Sequence, residues 1–305
     1  MHTFEKARGF IYRNARPLDL AIFKYNFESG SREDVITALS AYQNPDGGFG
    51  WGIEADNFNP NSQPMGVWKA TEYICRIGGI ESEHPVIQGI LRYLSSGDGF
   101  DQARNQWNNT VLTSNDHPCA VWWKYPESGS AFSYNPTAAL AGFLIRYAKK
   151  QSALYERGIR IAKEAAEWFI QDAPLERHIA GCFISLYEYC TDAGVMPFDG
   201  NALMEKLKEI VDRSICHDVS RWGEYIPRPS AFVTSRGSRF YHEGLEELCR
   251  AECEYIKRTQ LPDGSFPVPW TWGNDYKEWY VAENWCKAII TIENMLFLRE
   301  FDTGM

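Results

Sequence analysis

The chain has 305 residues, of which 44% are hydrophobic and 23% charged, with a net charge of -9 and a pI near 5.3. This is the composition of a globular protein with a real core, and its acidity argues against nucleic acid or an anionic membrane surface as a main partner. No apolar run reaches the roughly 18 residues of a spanning helix, and the start "MHTFEKARGFIYRNARPLDL" has no apolar signal region.

Helical periodicity dominates in chain order. "REDVITALSAYQ" places Val35, Leu39 and Tyr42 on one face, with Ser31 as its N-cap. "HPVIQGILRYL" repeats the pattern through Val86, Ile90 and Leu94, with Pro85 near its start. "NPTAALAGFLIRYAKK" predicts a buried helix, and "ALYERGIRIAKEAAEWFIQD" one with an apolar stripe through Leu154, Ile161, Ala165 and Trp168. Four more follow: "ERHIAGCFISLYEYC", "NALMEKLKEIVDRSI", "GLEELCRAECEYIKRTQ" and "NWCKAIITIENMLFLREF". Period-2 alternation is almost absent, so the predicted class is all-α. Eight cysteines without a CxxC pair predict reduced, mostly buried thiols and a cytoplasmic setting.

Helices run repeatedly into Gly/Asp turns that end on an aromatic residue. "QNPDGGFG" at 43–50 and "QLPDGSF" at 260–266 share a Gln-x-Pro-Asp-Gly-x-Phe frame, and "SGDGF" and "CHDVSRWGEY" are weaker versions. Gln43 can bond the backbone at a helix end, Pro45 fixes one turn φ, and Asp46-Gly47 supplies an Asx-type turn with positive φ. Asp46 to Asp98 spans 52 residues and Asp218 to Asp263 spans 45. A repeat of that length divides the chain into about six helical hairpins, and its irregularity and high aromatic content favour closure into a ring over an open solenoid.

The Gln43–Gly50 and Gln260–Phe266 frames resemble the repeat turns of squalene cyclases and protein prenyltransferases, the terpenoid-cyclase and prenyltransferase α/α toroids. The resemblance implies a single α/α toroid domain over residues 1–305, both Asp-Gly turns on one rim, and a central cavity for a hydrophobic or isoprenoid-like ligand. The cyclase Asp-x-Asp-Asp acid motif is not present; the nearest text is Glu54-Ala-Asp56-Asn57. Nor is the prenyltransferase Asp-x-Cys element, to which Asp116-His117-Pro118-Cys119 comes closest.

Candidate site residues fall in three clusters. "EADNFNPNSQP" is a long irregular segment carrying Glu54 and Asp56. "SNDHPCAVWWKYP" carries His117, Trp122, Trp123 and Tyr125, and "PWTWGNDYKEWYVAENW" carries Trp270, Trp272, Trp285 and Glu283. Glu54, Asp56, His117 and Glu283 are the catalytic candidates, and the aromatic residues are candidate walls. Arg236, beside Arg228 and Arg239, is a candidate anion clamp. Aromatic faces with carboxylates suit isoprenoid cations or stacked sugars, and a carboxylate pair cleaves glycosidic bonds. The leading expectation is therefore an isoprenoid-type ligand; the alternatives are a glycosidase-like toroid with a sugar-like ligand, or a non-catalytic binding toroid. Zinc held by Asp116 or His117, Cys119 and one of His178, His217 or His242 is chemically feasible, but scattered residues explain the same set. No phosphate loop, dinucleotide turn or nucleophile elbow occurs, and neither a resident metal nor a cofactor is expected.

Overall fold

The computed structural model describes residues 2–129 and 132–302. The described residues form eleven α-helices and one two-stranded ladder, Phe100–Asp101 paired antiparallel with Gln106–Trp107. The all-α expectation holds. The chain gathers into two compact units, one of residues 1–38 and 213–305 and one of residues 39–212.

In the first unit, α1 (His2–Asn14), α2 (Pro17–Phe27), α10 (Glu246–Thr259) and α11 (Trp279–Phe301) pack together. Helix α2 begins on a proline, whose missing N–H costs nothing at that position. Arg16 and Asp19, both buried, form a bidentate pair at 2.7 and 3.0 Å. A second buried carboxylate, Glu252 on α10, accepts from the Ser230 backbone N–H at 2.9 Å and lies 3.1 Å from Arg228. It anchors the irregular 228–233 segment to the helix.

In the second unit, α4 (Pro64–Arg76), α6 (Tyr134–Tyr147), α7 (Ala153–Asp172) and α8 (Arg177–Ala193) make the core, with α5 (Pro85–Ser96) against α6; α9 (Gly200–Ser214) follows in sequence and reaches the boundary at Asp212. Helix α6 is buried from Pro136 to Ile145, with α4, α7 and α8 against it. The short α3 (Arg32–Ser40) crosses in sequence from one unit to the other. Its start is a reciprocal capping box: Asp34 N–H donates to Ser31 Oγ at 3.1 Å, and Ser31 N–H to the Asp34 carboxylate at 3.0 Å.

The two Gln-x-Pro-Asp-Gly-x-Phe turns have the same internal geometry, each within its own unit. Gln43 Nε2 donates to Gly47 O and to Val86 O in the first turn of α5, both at 3.0 Å. Gln260 Nε2 donates to Gly264 O at 3.1 Å and to Thr3 O in the first turn of α1 at 2.8 Å. Asp46 and Asp263 each accept the backbone N–H two residues on, at 2.9 Å. Gly47 and Gly264 adopt φ of 94° and 98°, and a Cβ on them would lie 2.0 Å from Gly89 O and 2.1 Å from Lys6 O. Only glycine fits so close to a neighbouring backbone. The frame thus clasps a neighbouring helix, besides turning the chain. At the second copy, the clasped helix lies 257 residues earlier in sequence.

Six of the eight cysteines are buried, and Cys75 is exposed, so burial follows the composition in most cases. No described helix is long and apolar enough to cross a membrane.

Candidate functional site

The loop after the first clasp holds the densest arrangement of functional groups. Its shape comes from buried amides. Asn57 Nδ2 donates to Gln63 Oε1 at 3.1 Å, and Asn57 Oδ1 accepts from Asn59 N–H at 3.1 Å. Asn59 Nδ2 reaches Thr113 Oγ1 and Ser114 Oγ at 2.9 and 3.2 Å. Residues Asn57, Asn59 and Gln63 are all buried, so the segment is irregular but fixed. Backbone bonds Phe58 N–H to Pro118 O and Ala120 N–H to Asp56 O bring the 116–123 loop alongside. Lys124 pins that loop by donating to the carbonyls of Ser114, Asn115 and His117.

Two sequence-predicted residues meet directly here. Trp123 Nε1 donates to Asp56 Oδ1 at 2.7 Å. Burial pushes the Asp56 carboxyl above its ordinary range, outweighing this bond and the pull of Lys69. The opposing bond keeps the carboxyl oriented while burial favours its protonated form. Trp122, next in line, exposes 45% of its surface, whereas Trp123 is buried.

Glu54 points to a partner that the sequence did not single out. Its carboxylate is 4.0 Å from Lys69 Nζ, which also lies 3.1 Å from Glu72. Lys69 and Glu72 stand three residues apart on α4, so they share one helix face. Burial works against the Lys69 charge, but Glu54, Glu72 and Tyr73 more than compensate and raise its pKa. The ammonium is a fixed positive charge between two carboxylates. His178, on the first turn of α8, is also within electrostatic reach of Lys69 and Glu72. Desolvation and the neighbouring Arg177 lower its pKa, which favours the neutral imidazole. Glu176 caps α8 by accepting from the N–H groups of His178 and Ile179.

No protein-family model, curated protein or solved structure matches the chain. The chemistry of the site must therefore be read from its own groups.

The other candidates are placed differently. His117 is half-buried and its carbonyl is held by Lys124. The Tyr125 hydroxyl donates to Gly129 O at 3.1 Å, within its own loop. The remaining candidates belong to the other unit. Glu283 pairs with Lys287 at 2.8 Å, one helical turn along α11. Arg236 is engaged by Glu246 at 2.9 Å and by the Tyr241 hydroxyl at 3.3 Å, so its charge already has a carboxylate partner. Trp272 is buried against Tyr276 and Trp279 and presents no open face. Trp270 meets Tyr225 edge-on at 5.3 Å, and the Arg16 guanidinium lies over Trp285 at 5.7 Å. Among the described residues, no three His, Cys, Asp or Glu side chains gather into a metal-binding group, so the zinc set around Cys119 is not assembled.

Proposed function

We propose that this chain is an acid–base enzyme acting on a sugar-like, polyhydroxylated substrate, in the manner of a glycosidase. One observation carries the reading: two kinds of carboxyl group lie within electrostatic reach of one lysine, Lys69, in different environments. Asp56 is pushed toward its protonated form by burial, while Glu54 and Glu72 lie against the Lys69 ammonium. Groups divided in this way supply an acid and a base to one reaction. In this reading Asp56 donates its proton to the leaving oxygen. Glu54, with Glu72 behind the shared Lys69, faces the developing positive charge or activates water. The exposed indole of Trp122 offers a flat face for a sugar ring.

The frame in this reading is an α/α toroid of about six hairpins. Its support is the repeated glutamine clasp, in which each copy ties a turn to the first turn of another helix. The same clasp supports a second reading, in which the ligand is isoprenoid-like and Asp56 protonates an alkene. The charged Glu54–Lys69–Glu72 group speaks against it, because apolar chains do not repay the desolvation of charges.

The test is hydrolysis of a panel of aryl glycosides and oligosaccharides, with farnesyl diphosphate binding followed by tryptophan fluorescence. Release of reducing ends, lowered ~10²–10⁴-fold in Asp56→Asn, is the expected result. Saturable quenching by farnesyl diphosphate with no glycoside turned over would replace the proposal with the second reading. Inactivity on both would leave a non-catalytic toroid.

A further inference from the structure

A second surface of the same unit carries features of a ligand site; it shares the Asn59 anchor with the loop around Asp56 but none of that site's carboxylates or indoles. Trp51 directly follows the first clasp and exposes 60% of its surface. Its backbone φ is 59°, a left-handed conformation uncommon for a bulky residue. An indole displayed to solvent in that conformation needs something to hold it, and the neighbouring groups do so. The indole N–H donates to Asn44 Oδ1 at 2.7 Å, and the Trp51 backbone N–H donates to Asn59 O at 3.0 Å. Asn44 is itself fixed, since its Nδ2 donates to Pro60 O and Ser62 Oγ, both at 3.0 Å. Ser62 in turn donates to Asp46 Oδ1 at 2.8 Å.

This network surrounds a depression of about 440 Å³ lined by Trp51, Asn44, Asp46, Asn61 and Ser62 with two prolines. The volume lies within the ~300–1,000 Å³ range of small-molecule sites. Two acceptors along it have no partner among the described residues. Asp46 uses only Oδ1, for Gly48 N–H and Ser62, which leaves Oδ2 open. Asn61 donates through Nδ2 to Asn59, which leaves its Oδ1 open. The lining thus offers one aromatic face and carboxylate and amide acceptors; none of its residues is a cation, and the adjoining Arg92 donates to the Pro45 carbonyl at 3.2 Å.

We propose that this depression binds a neutral saccharide, which stacks a pyranose ring on Trp51 and donates hydroxyls to Asp46 Oδ2 and Asn61 Oδ1. A sugar ring presents apolar C–H groups on one face and hydroxyl donors at its edge, which matches one flat indole bordered by acceptors. An anion would meet the Asp46 carboxylate with no lining cation beside it and Arg92 held on the Pro45 carbonyl, and a purely apolar ligand would leave the acceptors unsatisfied. The Trp51–Asn44 bond sets the ring orientation before binding, so little side-chain order is lost on association. The proposal concerns binding alone and holds whether or not Asp56 carries out hydrolysis.

The experiment titrates the full chain with cellobiose, maltose and chitobiose, following the Trp51 indole N–H resonance by NMR and affinity by calorimetry. At least one disaccharide is expected to give a saturable Trp51 shift with Kd on the order of 1 mM. Trp51→Ala and Asn61→Ala should each weaken binding, the former at least ~10-fold, while Trp51→Phe keeps it within ~3-fold because the ring face remains. Asn61→Ala leaves the Trp51 backbone untouched and guards against a folding effect of the tryptophan change. Asp56→Asn should leave the Trp51 isotherm unchanged, which separates this site from the proposed catalytic one. A Trp51 resonance that fails to saturate with all three sugars would overturn the proposal, as would affinity unchanged in both Trp51→Ala and Asn61→Ala.

Discussion

Replacing Gly47 or Gly264 with alanine tests whether the two clasps are equivalent parts of one design. In both places the new Cβ would meet a helix backbone oxygen, at 2.0 Å for Gly47 and 2.1 Å for Gly264. Ordinary carbon contacts need about 3.5 Å, so turn and helix must separate by more than an ångström. That displacement breaks the glutamine bond to the helix carbonyl, worth about 1 kcal/mol, and adds about 1 kcal/mol for an alanine held at positive φ. With about 1–3 kcal/mol of overpacking, each variant should lose about 4 kcal/mol. Gly97 is the control, because its φ is 81° but nothing lies within 4 Å of the place a Cβ would take. Gly97→Ala should cost only about 1 kcal/mol. Urea unfolding followed by far-UV circular dichroism measures the three losses. Hydrogen exchange should place the loosened amides of Gly47→Ala within 39–212 and those of Gly264→Ala within 1–38 and 213–305. If both variants fall within about 1 kcal/mol of Gly97→Ala, the close-approach argument fails.

Further outcomes follow from other contacts. Gln43→Ala and Gln260→Ala should each cost about 2 kcal/mol in the same unfolding assay, since each removes two bonds of similar length. Arg16→Met should destabilise by about 3–5 kcal/mol by leaving Asp19 buried without its partner, and a loss under 1 kcal/mol would mean that the pair is relaxed in solution. Because folding raises the Asp56 pKa, its protonated form stabilises the fold fully below the unfolded value, and this advantage is lost as pH rises through the folded value. Asp56→Asn, neutral throughout, should therefore gain thermal stability over the unsubstituted chain as pH rises from below 3.8 to neutrality; a gap that does not change with pH would contradict the burial assignment.

Periodicity and turn chemistry make part of this structure legible in the sequence. Helix α7 runs over the predicted residues 153–172, because a long amphipathic stretch with Ser152 as its cap leaves little choice. The paired turns are visible as Gln-x-Pro-Asp-Gly-x-Phe, yet the carbonyls they clasp, Val86 and Thr3, are distant in sequence and carry no local signal. Helix α2 escapes the periodic pattern, since "PLDLAIFKYNF" is apolar on too many sides to give a signal. Helix α4 is amphipathic but goes equally unread, and this hides Lys69 and Glu72, whose three-residue spacing means something only once the segment is helical. Asp56 and Trp123 each stand out in the sequence, but their contact spans 67 residues and depends on the buried amides that fold the loop. Trp51 looks in the sequence like part of the turn, because nothing there says that its ring faces water.

The proposed acid, Asp56, is a carboxyl that keeps its proton unusually well, and carbon-detected NMR of its side chain across pH measures that directly. The midpoint should lie above the ordinary aspartate value of 3.8, and should rise further in Trp123→Phe, where the indole bond that favours the charged form is gone. A midpoint at or below 3.8, or one that Trp123→Phe leaves unmoved, would contradict the assignment of Asp56 as the acid.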